Sequence, residues 1–455
     1  MVEGSSVRPD NRISFTDQVM FLGQRATGQE AVVQIVWIYE HPIDFGELRR
    51  FHRDLGHGLM GRRIETSPLP FGRHRWVSWP GPQKPLETAA QRPRAELSDW
   101  VDERAQLPVD PEWGPGWHIG VLPMTDGATA VSLVASHCVV DGGGFLLTIA
   151  DTVKGKTRDF GYPPPASRTR REALVADLAD TARGVPEIGR TLLTAVKQGI
   201  RRRKEFTGGA PAVAQAPAAL DDADANVVVP AASVYVDLEQ WDRRAAALGG
   251  NSHSLLAAFA AKLGEHLGRR RASDGAVTLN VPISTRGEGD TGANVVLLTN
   301  ISLDPAELTT DLSGTRAAIK AALTTLREKP DETLELLPLT PFVPKFAVRR
   351  GADAVFSFSA DLPVSCSNLG DLDPAMGSPD GTPAEYTMLR GVDRHVTRGF
   401  LEKRPGLLTI VGGRIGGKVS MTIVGYQAGA DNTKEQLRVL AARTLAEFDL
   451  TGVIE

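Results

Sequence analysis

Cysteine is scarce: Cys138 and Cys366 are the only two thiols in 455 residues. Two cysteines cannot build a disulfide framework or a cysteine-rich zinc cage. They could form one bridge, but no spacing calls for it. Aromatic residues make up only 6% of the chain, a poor fit to a stacking platform for single-stranded nucleic acid. Neither sign of charge dominates. The 51 Lys and Arg stand against 55 Asp and Glu, a net charge of −4, which argues against a globally basic nucleic-acid binder. No apolar run approaches the roughly 20 residues of a membrane span; the longest, such as AVVQIVWIY (31–39), are strand-sized. The opening residues, MVEGSSVRPDNRISF, lack the basic-then-apolar order of a secretory signal. Gly at 46 and Pro at 30 exceed ordinary usage only slightly, so no collagen-like or low-complexity class applies. What remains is a chain 42% hydrophobic and 23% charged, too apolar for disorder. At about 150 residues per domain it has room for two or three domains. The expectation is a cytoplasmic protein with sizeable cores.

Hydrophobic patterning supplies the elements. Residues 31–39 read as a buried strand, and 44–59 as a helix with Phe45, Leu48, Phe51 and Leu55 on one face and Asp44 as N-cap. TAVSLVASHCV (129–139) reads as a second strong strand, running into the DGGG turn (141–144) and then a helix over 145–153. Residues 170–200 have helical spacing, interrupted near Gly184-Val185-Pro186. The Ala/Pro/Gly-rich stretch 207–231 reads as a flexible linker. Beyond it, 232–238, 277–284 and 295–303 read as strands. Segments 238–249, 254–268 (capped by Ser252 or Ser254), 312–328 and 434–448 read as helices. Residues 406–426 read as a hairpin turning at Gly416-Gly417. Strands mix with helices in both halves, which predicts an α/β (α+β sandwich) architecture in two lobes.

One constellation carries chemistry: Ser136-His137-Cys138-Val139-Val140-Asp141-Gly142-Gly143-Gly144. It sets His137 at the end of an apolar strand and Asp141 four residues on, at a glycine turn. A histidine there can serve as a general base. The aspartate could orient it or fix its loop, and the glycines let a substrate approach the backbone. The bland alternative is a chance neighbour pair serving structure alone. A metal pair from His137 and Asp141 has no evident third ligand. Cys138 sits beside His137 as a thiol nucleophile would, but alternation along a strand sends neighbours to opposite faces. It reads better as a small packed residue.

SHCVVDGGG resembles the HxxxDG signature of the CoA-dependent acyltransferase and condensation-domain superfamily, and the resemblance covers most of the chain in order. ISFTDQVMF (13–21) resembles the opening Ser-x-x-Asp segment. GRRI (61–64) is similar to the arginine-rich turn, and WGPGWHIGVLP (113–123) to the strand before the active motif. NVPISTR (280–286) resembles the Val-Pro-x-x-x-Arg motif of the second lobe. TGANVVLLTNISL (291–303) is similar to its Gly-Asn strand, and VSCSNLGDL (364–372) to the Ser-Asn segment near the channel. Wax ester synthase/diacylglycerol acyltransferase-like and polyketide-associated acyltransferases look most similar. Ser136 stands where many members carry a first histidine, HSLLAAF (253–259) lacks the Asn-Asp pair of wax ester synthases, and the plant-type Asp-Phe-Gly-Trp-Gly motif is absent.

The resemblance implies two chloramphenicol-acetyltransferase-like lobes with a tunnel between them. The expected divisions are an N-terminal lobe at 1–165, a helical insert and linker at 166–230, and a C-terminal lobe at 231–455. It implies an O-acyltransferase in which His137 is the general base. The donor would be acyl-CoA or an acyl-carrier protein as co-substrate, with no cofactor and no metal, and the acceptor an alcohol, lipid-like. Asp141, Gly142 and Arg286 would be structural at the site, with Asp141 paired to Arg286. Asn294 and Asn368 are weaker substrate-binding candidates, against a simple role satisfying backbone. An amide-forming condensation enzyme and a non-catalytic binding module are the alternatives. Residues 168–204 carry ten basic and four acidic residues. They could make peripheral contact with an anionic membrane, or be a solvated helical face. Arg201-Arg202-Arg203-Lys204 could also meet the phosphates of CoA.

Overall fold

A computed structural model describes residues 10–205, 223–287, 289–328, 334–343, 363–404 and 406–455. The first half runs α1 (Phe15–Thr27), β1 (Glu30–Tyr39), α2 (Phe45–Leu55), β2 (Arg62–Glu65), β3 (Arg75–Ser78), β4 (Glu87–Thr88), α3 (Leu97–Gln106), β5 (Trp117–Pro123), β6 (Thr129–Ser136) and α4 (Gly142–Val153). The long α5 (Arg170–Glu205) follows. The second half has β7 (Ala231–Asp237), α6 (Leu238–Ala247), α7 (Ser252–His266), β8 (Val277–Ser284), β9 (Val296–Leu303) and α8 (Ser313–Glu328). It continues with β10 (Val364–Asp371), β11 (Tyr386–Arg394), a short helix (Arg398–Lys403), β12 (Leu407–Ile415), β13 (Lys418–Tyr426), a closing helix (Lys434–Glu447) and β14 (Val453–Ile454).

The described strands form two large mixed sheets and the small β2–β3 ladder. The first sheet has the order β11-β1-β6-β5-β4, the second β14-β7-β13-β12-β10-β8-β9. Strands β1 and β6 lie near the middle of the first, and β6 is buried along its whole length. Both faces of that sheet are covered. Phe51 and Leu55 of α2 and Phe145 and Ile149 of α4 pack on one, and Trp100 and Val101 of α3 on the other. That is why β1 and β6 read as continuous apolar runs rather than alternating ones. In the second lobe α7 is buried nearly all round, between α6, α8 and the sheet.

The expected boundaries meet an exception at β11. This strand comes from the stretch assigned to the C-terminal lobe, yet it completes the first sheet, antiparallel to β1 over Glu30–Ile38. It covers what would otherwise be a bare edge of β1. The lobes share side chains too: Leu372, Met376, Leu389 and Ile415 belong to the first core, and Trp37 Nε1 donates to the Met376 carbonyl at 2.6 Å.

Three local expectations change. Helix α5 runs through Pro186 without a break. A proline inside a helix costs about 3 kcal/mol. Here tertiary contacts hold both sides of it: Asp177 is buried before the proline and Thr191 after it. Helix α7 is capped by Asn251, whose side chain accepts from the Ser254 N–H at 3.0 Å while Ser254 Oγ accepts from the Asn251 N–H at 2.7 Å. Ser254 is thus the reciprocal partner of the cap rather than the cap. The linker read over 207–231 lies largely outside the described residues, and its last residue opens β7. No helix among the described residues is long and apolar enough to cross a membrane.

Candidate active site

Strand β6 ends at Ser136, and the chain turns through His137, Cys138, Val139 and Val140 before α4 begins. The turn is fixed from several directions. The His137 N–H donates to the Ala31 carbonyl at 2.9 Å, and the His137 carbonyl accepts from Asn294 Nδ2 at 3.2 Å. Ser136 Oγ accepts from the Cys138 N–H at 3.3 Å. The His137 imidazole is half-buried, and its Nδ1 is buried with no hydrogen-bond partner among the described residues. His137 is therefore held by its backbone, which leaves its Nδ1 free of hydrogen bonds to the described residues.

Asp141 is the N-cap of α4. Its Oδ1 accepts from the Gly144 N–H at 2.6 Å and lies 2.9 Å from Arg286 Nη2. Its Oδ2 accepts from the Val295 N–H at 2.8 Å, and its own N–H donates to the Ala293 carbonyl at 2.8 Å. Both side chains are almost wholly buried, Asp141 at 1% and Arg286 at 5% exposure. Arg286 also donates to the carbonyls of Gly292 and Ala293, each at 3.1 Å. The pair ties the motif turn of the first lobe to residues 286–295 of the second. The third glycine is the one this contact needs. A Cβ at Gly144 would meet Leu59 Cδ1 at 2.9 Å and Arg286 Cζ at 3.1 Å. A Cβ at Gly142 would meet only Leu369 Cδ2, at 3.9 Å.

A second buried carboxylate works on the same seam. Asp17 of α1 accepts from the Ala293 N–H at 3.0 Å, the Asn294 N–H at 2.8 Å and Asn294 Nδ2 at 3.1 Å. Asn294 thus bridges Asp17 to the His137 carbonyl, which is a backbone-holding use of its side chain. Asn368 likewise turns on its own chain, its Oδ1 accepting from the Gly370 N–H at 2.9 Å. Arg62, fully buried, donates to the Val139 carbonyl at 3.1 Å and to the Thr291 carbonyl, and its guanidinium lies 3.8 Å from the Trp76 ring centroid. Burial pushes it down to about 10.

Cys138 points away from this chemistry. Its Sγ donates to Gln24 Oε1 at 2.8 Å, and burial, reinforced by the Asp17 charge, pushes its thiol above the ordinary range. Burial pushes Cys366 up to about 12. Neither is a thiolate nucleophile at neutral pH. Among the described residues no cluster of three or more His, Cys, Asp or Glu is placed to hold a metal ion.

The motifs do not reveal Asp393 of β11. Its side chain is solvent-reached, yet surrounding protein pushes its carboxyl above the usual range, opposed by the nearby charges of His137 and Arg404. It lies 256 residues from His137 in sequence, and only strand register brings it close.

Comparison with known proteins places the fold. No family model matches the chain, and no curated protein matches its sequence. Solved structures do match. The first condensation domain of the CDA synthetase aligns over 99% of this chain and 100% of its own, at 16% identity and a TM-score of 0.55. The wax ester synthase/diacylglycerol acyltransferase from Marinobacter aquaeolei VT8 aligns over 96% and 98%, at 15% identity and a TM-score of 0.55. The chain has the two-lobed mixed fold shared by those two structures.

Proposed function

We propose that this chain is an acyltransferase that moves an acyl group from an acyl thioester, either acyl-CoA or an acyl-carrier protein, to a hydroxyl acceptor. One observation carries the reading. The only histidine of the HxxxDG turn is pinned by its backbone to both lobes, through Ala31 on one side and Asn294 on the other. Its turn is locked by the buried Asp141–Arg286 pair.

In this mechanism His137 takes the proton from the acceptor hydroxyl as the oxygen attacks the thioester carbonyl. The tetrahedral intermediate collapses, the C–S bond breaks, and the leaving sulfur takes the proton from the imidazolium. Donor and acceptor meet in one ternary complex, in a tunnel between the lobes, and no acyl-enzyme forms. Asp141 and Arg286 position the turn and do not touch the substrate. The buried cysteines take no part, and the chemistry uses no cofactor beyond the thioester co-substrate.

A second reading is amide formation from a carrier-bound acyl group; the fold is as similar to the first condensation domain of the CDA synthetase as to the wax ester synthase/diacylglycerol acyltransferase, each at a TM-score of 0.55. Peripheral membrane contact through 168–204 would suit a lipid acceptor. Arg168 is committed elsewhere, to Glu65 and Asp177, each at 3.2 Å, so it adds little to such a surface. The deciding experiment follows free-thiol release from a panel of acyl-CoAs and carrier-bound acyl groups with alcohol and amine acceptors. Transfer to alcohols, abolished in His137→Ala, is expected. Transfer to amines alone would select the condensation reading, and no reaction with any pair would select a binding module. Liposome flotation of wild type against a charge-reversed 201–204 variant tests the membrane contact, which equal flotation would remove from those four residues.

A further inference from the structure

Three neighbouring strands carry one row of residues at the open end of the first sheet. Asp393 of β11 pairs with Ala31 of β1. On the other side of β1 the register pairs Val32 with Ser136, so Ala31 stands opposite His137, one residue beyond β6. The 2.9 Å hydrogen bond from the His137 N–H to the Ala31 carbonyl continues that ladder. Residues opposite one another in antiparallel strands project from the same face. Here it is the face of Val33, Ile35, Leu133, Ala135 and Leu389.

Asp393 and Ala31 therefore share a face, and His137 continues their row into the turn after β6, through its backbone bond to Ala31. The next row is Gly391, Val33 and Ala135, and a Cβ built at Gly391 would meet no atom within 4 Å. The side chains beside this row are short at Ala31 and Ala135, and the space at Gly391 is open. Asp393 and Gly391 also line a crevice between β11 and the second sheet, with Asp102, Arg390, Leu407 and Thr409; His137 and Ala31 do not line it. The Asp393 carboxylate forms no hydrogen bond or ion pair with a described residue; His137 and Arg404 are the groups that act on it electrostatically. Arg404 itself lies over the Phe400 ring, 4.0 Å from its centroid.

We propose that Asp393 is a specificity residue that receives a second hydrogen-bond donor of the acceptor, a hydroxyl or an ammonium, while the nucleophilic hydroxyl sits at His137. The inference rests on the acyltransferase reading. Two strand spacings separate the side chains by about 10 Å. One hydrogen bond of about 3 Å at each end leaves about 4 Å between the two substrate groups. That is the span of two or three carbons. The acceptor class is then a diol or amino alcohol, rather than a simple fatty alcohol.

The test compares wild type with Asp393→Leu, Asp393→Asn and Gly391→Val. Thiol release from one acyl-CoA is measured with a 1-alkanol, a 1,3-diol and a 3-amino-1-alkanol of equal carbon number. Wild type is expected to favour the diol or the amino alcohol over the 1-alkanol by at least about tenfold in kcat/KM, the scale of one hydrogen bond to a charged group. Asp393→Leu brings the ratio near one. Asp393→Asn keeps a diol preference and loses an amino-alcohol preference, which tells the two donors apart. Gly391→Val puts bulk into the open space one row from Asp393 and lowers both ratios with the carboxylate intact. Equal ratios in wild type and Asp393→Leu, or a wild-type preference for the 1-alkanol, would overturn the proposal. A second readout needs no chemistry: the thermal shift given by 3-amino-1-propanol and 1,3-propanediol. If wild type released no thiol with any acceptor, the acyltransferase reading would fall, and this shift would still decide Asp393. A shift in wild type that is lost in Asp393→Leu supports the site, and equal shifts, or none in wild type, overturn it.

Discussion

Asp141 and Arg286 meet at 2.9 Å across the seam between the lobes, with both side chains buried. The carboxylate also holds the N–H groups of Gly144 and Val295, so a single side chain caps α4 and fastens the second lobe to it. A buried ion pair of this kind is weak evidence for net stability, but removing one partner strands the other in the interior.

Asp141→Ala and Arg286→Ala are each expected to destabilise the fold by about 3–5 kcal/mol. Denaturant unfolding measures this. The double variant should cost less than the two single variants together, because it leaves no lone charge. Additive costs would show that the pair is not coupled.

His137→Ala should lower acyl transfer by about 10²–10⁴-fold, the contribution typical of a positioned general base. The turn is held through the His137 backbone and not its ring, so the unfolding midpoint should stay close to wild type. Transfer as fast as wild type would remove His137 from the mechanism.

Arg62 is buried beneath the motif turn and serves two carbonyls, those of Val139 and Thr291. Arg62→Met should leave both without this donor, at about 1–3 kcal/mol each. Arg62→Lys should rescue it only in part, because an ammonium lacks the planar fork that spans both carbonyls and stacks on Trp76. Chemical denaturation of the three proteins ranks them.

Two buried histidines predict acid sensitivity. Burial lowers His118 to about 3, helped by the charge of Arg104, whose guanidinium donates to His118 Nδ1 at 2.9 Å. Burial lowers His74 to about 4, against the opposing charge of Asp177. Both are neutral in the fold and titrate near 6.5 when unfolded. The stability they contribute is complete above pH 6.5. It falls as pH drops below that value, because the unfolded chain gains protons that the fold refuses. At pH 5 each should have lost about 2 kcal/mol. Urea unfolding at pH 7 and pH 5 tests the direction, and His118→Gln should flatten the dependence.

Cys138 predicts a negative result with content. Its buried, raised thiol should resist alkylation in the folded protein and react on unfolding. Cys138→Ala should retain acyl transfer. Rapid labelling of the native protein at Cys138, with loss of activity, would reinstate the thiol as a candidate.

Much of the fold was legible because it is local. The apolar runs at 31–39 and 129–136 are strands, Asp44 caps α2, accepting from the Gly46 and Glu47 N–H groups, and Gly416-Gly417 turn the β12–β13 hairpin, both at positive φ. Each depends on a few neighbouring residues, so composition and periodicity suffice. The motif order likewise marked His137, Asp141 and Arg286 as residues that belong together.

The sequence could not say which distant residues share a site. Asp17 and Asn294 are 277 positions apart, and Asp393 reaches the row of His137 only because β11 crosses to the first sheet in one particular register. A shift of one residue would turn Asp393 to the opposite face. Tertiary burial also carried α5 through Pro186. By itself, the sequence determined the elements and the turn that holds the histidine. The tertiary structure decided what faces that histidine, because strand pairing and the packing of the two lobes are energies of contact between segments that the chain order keeps apart.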